Sequence, residues 1–275
     1  MKNILIPTDF SACANNAAEI GINLAKKTGA GIHFLHIIST PVDWVKLPKE
    51  KEQYFPEIKK AIGFAEAELD KLHRKAEKAG IKVERFLVYN KSSDEIINHA
   101  KKYKDDFIVM GSHGSSGIRE VFIGSNAQKV VRYSQVPVLV VRDKPKQFDV
   151  KNILFVSDFT KRSEKAYDMA LTFSDMTNAK MHLLFVNTPG RFEDSVDTRD
   201  RMKSFLKKAP KDSTAHIENA LEVETGVLQV AQDHKYDLIV MSTEGRKGIR
   251  QMLAHSIAEA VVNHATVPVL CINSK

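Results

Sequence analysis

Cysteine is scarce in this chain of 275 residues, which has two, Cys13 and Cys271. They stand far apart, and neither has a second ligand-type residue at motif spacing. A disulfide framework and a cysteine-based metal site are both excluded, and the two read as small core residues in a reducing compartment. No apolar run is long enough to cross a bilayer. Nothing between Asn3 and Pro7 resembles a signal peptide. The expectation is a soluble, cytoplasmic protein with no membrane partner. An arginine-rich arm, zinc-finger spacing and an RNA-binding aromatic motif are also missing. The formal net charge is +7, but the lysines are spread in pairs such as Lys26-Lys27, Lys59-Lys60, Lys101-Lys102 and Lys207-Lys208. Such pairs are the mark of solvated helix faces, so specific nucleic-acid binding is not expected.

What is present is a pattern of glycines. The apolar run Phe107 to Met110 breaks at Gly111-Ser112-His113-Gly114, and a helical pattern resumes at Gly124-Ser125-Asn126-Ala127. Glycine allows a tight turn and a close approach of the backbone to a ligand. Ser125 falls at the first turn of a helix, where free N–H groups and the helix dipole favour an anion such as phosphate. A plain strand-to-helix connection with tight packing accounts for the same glycines. A second segment, Asn3-Ile4-Leu5-Ile6, reads as a short buried strand that ends at Pro7-Thr8-Asp9-Phe10-Ser11. Ser11 is a good N-cap for the apolar stripe that follows. Asp9 then lies at the carboxyl end of a strand, where open parallel sheets bind ligands; capping alone is the competing role.

The chain is internally repeated. Lys2-Asn3-Ile4-Leu5 returns as Lys151-Asn152-Ile153-Leu154, and Thr8-Asp9-Phe10-Ser11 as Ser157-Asp158-Phe159-Thr160. Asp106-Phe107-Ile108-Val109-Met110 returns as Asp237-Leu238-Ile239-Val240-Met241, and Val136-Pro137-Val138-Leu139 as Val267-Pro268-Val269-Leu270. The period is far too long for a solenoid, so this is a duplicated domain. Halves 1–143 and 150–275 are expected, joined by the polar stretch Arg142 to Gln147.

Strands are expected near 3–7, 32–38, 82–88, 107–111 and 136–141, and helices near 11–28, 49–79, 93–103 and 125–134. Strands that alternate with helices imply parallel βαβ units and an α/β fold.

Gly111, Gly114, Gly124 and Ser125 fit the pattern Gly-x-x-Gly, nine residues, Gly-(Ser/Thr). With Ile6-Pro7-Thr8-Asp9-Phe10-Ser11, Leu35-His36-Ile37-Ile38 and Val136–Val141, they make the chain resemble the universal stress protein family over essentially its whole length. The resemblance implies two tandem open-sheet domains of the adenine nucleotide α-hydrolase-like (Rossmann-like) type, with five parallel strands in order 3-2-1-4-5 and helices on both faces. That order sets the ends of strands one and four side by side.

The resemblance further implies an ATP site in the first half, with Mg2+ able to bridge the phosphates. Asp9 would contact ribose or base, with Pro7 and Thr8 shaping its loop. Ile37 would offer main-chain groups to the adenine edge, and Met110 would line the adenine pocket. Gly111 and Gly114 would let the chain wrap the phosphates, which Gly124, Ser125 and the N–H of Asn126 would hold. Core packing is the competing role for Ile37 and Met110. In the second half Val156, Ser242 and His255 replace Pro7, Gly111 and Gly124, so ordinary ATP binding is expected to be lost there.

No Walker lysine follows the glycines, no metal cluster is visible, and His36 and His113 have no orienting carboxylate in sequence. An ATP-bound signalling or interaction module with at most slow hydrolysis is therefore expected. The alternatives are an enzyme of the wider hydrolase superfamily and a ligand-free, chaperone-like scaffold. The last strands of the two halves are expected to pair within the chain, with room for a homodimer.

Overall fold

The computed structural model describes residues 1–89, 94–113, 123–142, 148–243 and 249–273, with the backbone alone for 249–256. The first half contributes strands β1 (Asn3–Pro7), β2 (Gly31–Ile38), β3 (Val83–Tyr89), β4 (Phe107–Gly111) and β5 (Val138–Val141). The second contributes β6 (Asn152–Val156), β7 (Lys180–Asn187), β8 (Ala215–Asn219), β9 (Leu238–Ser242) and β10 (Val269–Ile272). Within each half all pairings are parallel. The order is β3-β2-β1-β4-β5 in the first half and its counterpart β8-β7-β6-β9-β10 in the second. The two sheets do not stay separate: β5 lies antiparallel to β10, Leu139 opposite Leu270, and one ten-stranded sheet results.

Helices α1 (Ala12–Thr28), α2 (Pro56–Lys78), α3 (Glu95–Tyr103) and α4 (Ser125–Tyr133) connect the strands of the first half. Helices α5 (Glu164–Thr177), α6 (Ser195–Leu206), α7 (Val223–Asp233) and α8 (Ile249–His264) do so in the second. Strand side chains alternate between faces, so Ile4, Ile6, Ile32 and Phe34 meet α1 and α2, while Leu5, Leu35, Ile108 and Met110 meet α3 and α4. Both apolar layers continue through β5 and β10 into the second half, where α5 and α6 extend one layer and α7 and α8 the other.

The long helix expected over 49–79 is shorter. Residues Lys49–Tyr54 form a 3-10 turn, and α2 begins at Pro56, whose fixed φ suits a first helical position. The apolar spacing in fact starts only at Ile58, so the extra turn had no buried face to support it. Polar contacts also cross the seam. Glu259, 9% exposed, accepts from Arg132 Nη2 (2.6 Å) and Gln128 Nε2 (2.7 Å). The hydrogen bond and charge of Glu259 hold the Arg132 guanidinium above its ordinary value. The Phe107 and Phe173 rings stack at 5.8 Å.

In the second half His182 Nδ1 lies 2.7 Å from Thr214 Oγ1, which lies 2.8 Å from His216 Nε2. Burial, then the charges of His216, Lys180 and His234, hold His182 below the ordinary imidazole value. Burial and then His234 do the same for His216, against an opposing pull from Glu218. The unfolded chain therefore takes up more protons than the folded one just below about pH 6.5. Stability is expected to be full above that value and to fall as the pH drops through the depressed folded values. Urea midpoints at about pH 7.5 and pH 5.5 test this. A His182→Asn/His216→Asn double variant should show a smaller drop, and an equal drop would refute the assignment.

Candidate functional site

The loop after β1 is held by its own short side chains. Thr8 N–H donates to Leu35 O (2.8 Å), one bond past the end of β1. Thr8 Oγ1 then accepts from Phe10 N–H (3.0 Å), and Asp9 Oδ1 from Ser11 N–H (3.1 Å). These local bonds set Phe10 in the left-handed region, at φ 63, where few non-glycine residues lie. Ser11 Oγ accepts from Ala14 N–H and caps α1. His36 Nδ1 lies 2.7 Å from Thr8 O; a carbonyl can only accept, so Nδ1 carries the proton. The Phe10 ring stacks on that imidazole at 4.5 Å. Asp9 thus does assist the turn, and it also faces the cavity described below.

Strand direction decides what Ile37 presents. Successive backbone groups of a strand point to opposite sides. Because Leu35 O points toward β1, the N–H and C=O of Ile37 point the same way, beyond the end of β1. The side chain of Met110, on β4, is buried.

Gly111 is closely packed. A Cβ there would stand 3.0 Å from the Cys13 carbonyl carbon and 3.1 Å from Ala14 N, both backbone atoms at the start of α1. Cys13 Sγ in turn lies 3.1 Å from Val141 O. Ser112 N–H donates to Val141 O and Ser112 O accepts from Gly124 N–H, each at 2.8 Å. The second bond brings the chain back beside β4 as α4 begins. The first α-helical bond of α4 runs from Gln128 N–H to Gly124 O. The N–H groups of Ser125, Asn126 and Ala127 precede it, and among the described residues no side chain caps them. Ser112 Oγ lies 2.8 Å from His113 Nδ1, while His113 Nε2 is buried without a hydrogen-bond partner.

These pieces surround one cavity of about 320 Å³. Pro7, Thr8, Asp9, Ile37, Met110, Gly111, Gly124, Ser125 and Asn126 all line it. Gly114 lies outside the described residues. The walls also include Ala14, Leu35, His36, Ile96, Ser112, His113 and Ala127. Of these, His36 and His113 were visible in the sequence as neighbours of the motifs. Ile96 was not, since an apolar residue in the first turn of α3 carries no signal beyond core packing.

The matching loop of the second half repeats the turn but not its surroundings. Phe159 N–H donates to Ser157 Oγ and Thr160 N–H to Asp158 Oδ1, with Phe159 at φ 52. Here, however, Arg191 Nη2 sits 3.4 Å from Asp158 Oδ2, and Phe159 packs into the core against Phe155 and Phe205. Ser242 stands where the first half has Gly111, and its buried Oγ has no hydrogen-bond partner.

A parallel sheet in this order, with a cavity at the ends of β1 and β4 and a helix N-terminus in its wall, is an open α/β architecture whose switch point takes ligands. Comparison with known proteins narrows the class. The model of the universal stress protein family matches residues 1–142 and again residues 149–273, and the chain belongs to that family. Universal stress protein MJ0531 of Methanocaldococcus jannaschii is 35% identical over 147 residues, 53% of this chain and 84% of the relative. Universal stress protein Slr1230 of Synechocystis is 24% identical over 98% of this chain and 99% of its own length. A crystal structure of a universal stress protein from Archaeoglobus fulgidus, 24% identical, covers 99% of this chain and 98% of its own, with a TM-score of 0.77. No helix among the described residues is long and apolar enough to cross a membrane.

Proposed function

We infer that the first half, residues 1–143, binds one ATP and that the second, residues 150–275, serves mainly as its structural partner. The observation that carries this reading is the convergence of Asp9, the end of β4 and the uncapped start of α4 on one cavity. The adenine would lie between Ile37 and Met110, with the main-chain groups of Ile37 toward its edge. Asp9 would accept from the ribose. The N–H groups of Ser125, Asn126 and Ala127, reinforced by the helix dipole, would take the phosphates, with Gly114 expected to help close over them. The orphaned His113 Nε2 gains a partner if phosphate is present. A magnesium ion would be held chiefly by the phosphates and would neutralise their charge.

On this reading the protein is a cytoplasmic, nucleotide-dependent stress-response or interaction module, in which ATP alters the surface that a partner meets. The β5–β10 seam takes the place of a contact between two chains, and a homodimer would form through other surfaces. A second reading, slow ATP hydrolysis, draws on the Ser112–His113 pair beside the proposed phosphate position.

The test is to denature gently purified protein, identify any released adenine nucleotide, and titrate ATP onto the stripped chain. One ATP per chain is the expected result, and turnover would be measured next. No released nucleotide and no saturable binding would leave the cavity without this role.

A further inference from the structure

A second cluster of chemistry-bearing side chains lies away from the cavity, at the opposite end of the sheet. His33 enters from the start of β2, His99 from α3, and Asp105 from the turn before β4. All three are buried, at 6%, 5% and 3% exposure. His33 Nδ1 lies 2.6 Å from Asp105 Oδ1, and His99 Nε2 lies 4.0 Å from Asp105 Oδ2. Neither contact has hydrogen-bond alignment: His33 Nδ1, His99 Nε2 and both Asp105 carboxylate oxygens are buried without a hydrogen-bond partner. Four buried polar atoms without an aligned hydrogen bond are costly, because close contact alone returns only part of what each lost with its water.

The second half shows that the fold does not demand this arrangement. His182 stands where the first half has His33, yet it finds Thr214 Oγ1 at 2.7 Å. Tyr236 stands where the first half has Asp105, and its ring lies 5.2 Å from that of His182. The carboxylate and its unsatisfied partners therefore belong to the first half.

We propose that His33, His99 and Asp105 form a binding site for a transition-metal dication of the zinc class. Two imidazole nitrogens and one carboxylate make a donor set that suits such an ion, and one ligand atom from each residue lies within 4.8 Å of the others. Bonds of about 2.0–2.2 Å call for side-chain adjustments on the order of 1 Å, with His33 and Asp105 parting and His99 closing in. A water would complete a four-coordinate shell. The rings of Phe86 and Tyr103, 4.5 and 4.3 Å from that of His99, enclose the position in an apolar wall. Such a wall strengthens the attraction between the ion and the carboxylate. The ion would tie β2, α3 and the approach to β4 together, a structural role distinct from the nucleotide cavity.

The experiment uses the full chain, stripped of nucleotide and metal by a chelator. Zn2+ alone is titrated by calorimetry, and Co2+ alone is followed by its visible absorption. One ion per chain is expected, with a tetrahedral Co2+ spectrum and a thermal midpoint raised by about 5 °C at saturating Zn2+. His99→Gln and Asp105→Asn should each weaken binding at least about 10-fold, since a lost ligand is at least as damaging as a lost supporting partner. The His182→Asn/His216→Asn variant should bind as the parent does. Long-range proton–nitrogen NMR of the parent supplies a readout that does not depend on either variant folding: Zn2+ should shift Nδ1 of His33 and Nε2 of His99. Failure to bind a stoichiometric ion, unchanged imidazole nitrogens, or equal binding by folded ligand variants would overturn the proposal.

Discussion

Replacing Gly124 with histidine, the residue that the second half carries at the matching place, should weaken ATP binding by about 100-fold, near 2.7 kcal/mol. Gly124 adopts φ −60 and ψ 146, a conformation open to any residue. The substitution therefore strains nothing in the backbone, and the Gly124 N–H to Ser112 O bond survives it. What changes is the space in front of the uncapped N–H groups, which a ring would share with the phosphates. Without ATP the variant should melt close to the parent. Gly111→Ala gives the contrasting result, because its new methyl meets backbone atoms of Cys13 and Ala14 and stability falls with or without ligand. ATP titrations with thermal melts of both variants separate the two effects. Retention of ATP affinity by Gly124→His to within about threefold would remove the α4 N-terminus from the site.

Leu139→Ala and Leu270→Ala are each expected to cost about 3 kcal/mol. Both side chains are fully buried and stand opposite one another across the β5–β10 pair. Because they share surroundings, the double variant should depart from additivity by about 0.5 kcal/mol or more. The whole chain should still unfold in one transition, since each apolar layer runs unbroken through both halves. Calorimetry of the single and double variants checks this. Two resolved transitions, with only one displaced by Leu139→Ala, would show that the halves unfold independently.

Much of the architecture was legible because the sequence states it twice. Asp106 accepts from Lys2 N–H and Asn3 N–H, and Asp237 accepts from Lys151 N–H and Asn152 N–H in the same way. The segments that repeat are thus those that set strand register. The candidate site was legible where it rests on local chemistry, as in the Thr8–Ser11 turn and the start of α4. It was not legible where the contact is made only by folding. Ile96 reaches the cavity from a helix with no motif, and Gly111 proved to answer to α1 as well as to any ligand. The His33–Asp105 approach was hidden for the same reason. His33 has a counterpart in His182 at the matching place of the second repeat, so nothing in the sequence singles it out, and the carboxylate that distinguishes the two lies far along the chain. The 3-10 turn before Pro56 was missed because a polar segment was joined to a periodic one, and only burial tells them apart.

The seam between β5 and β10 has one more consequence. Two separate chains meeting through such strands would obey mass action and come apart on dilution. Here the two edges are tethered, and the encounter is governed by an effective concentration that short linkers raise to the millimolar range. The assembled sheet should therefore be indifferent to how much protein the cell makes. It also frees one half from having to be identical to the other. A mutation in a self-associating chain strikes both copies of a site at once, whereas here Ser242 could enter the second half, and Arg191 could settle beside Asp158, while Gly111 stayed in the first.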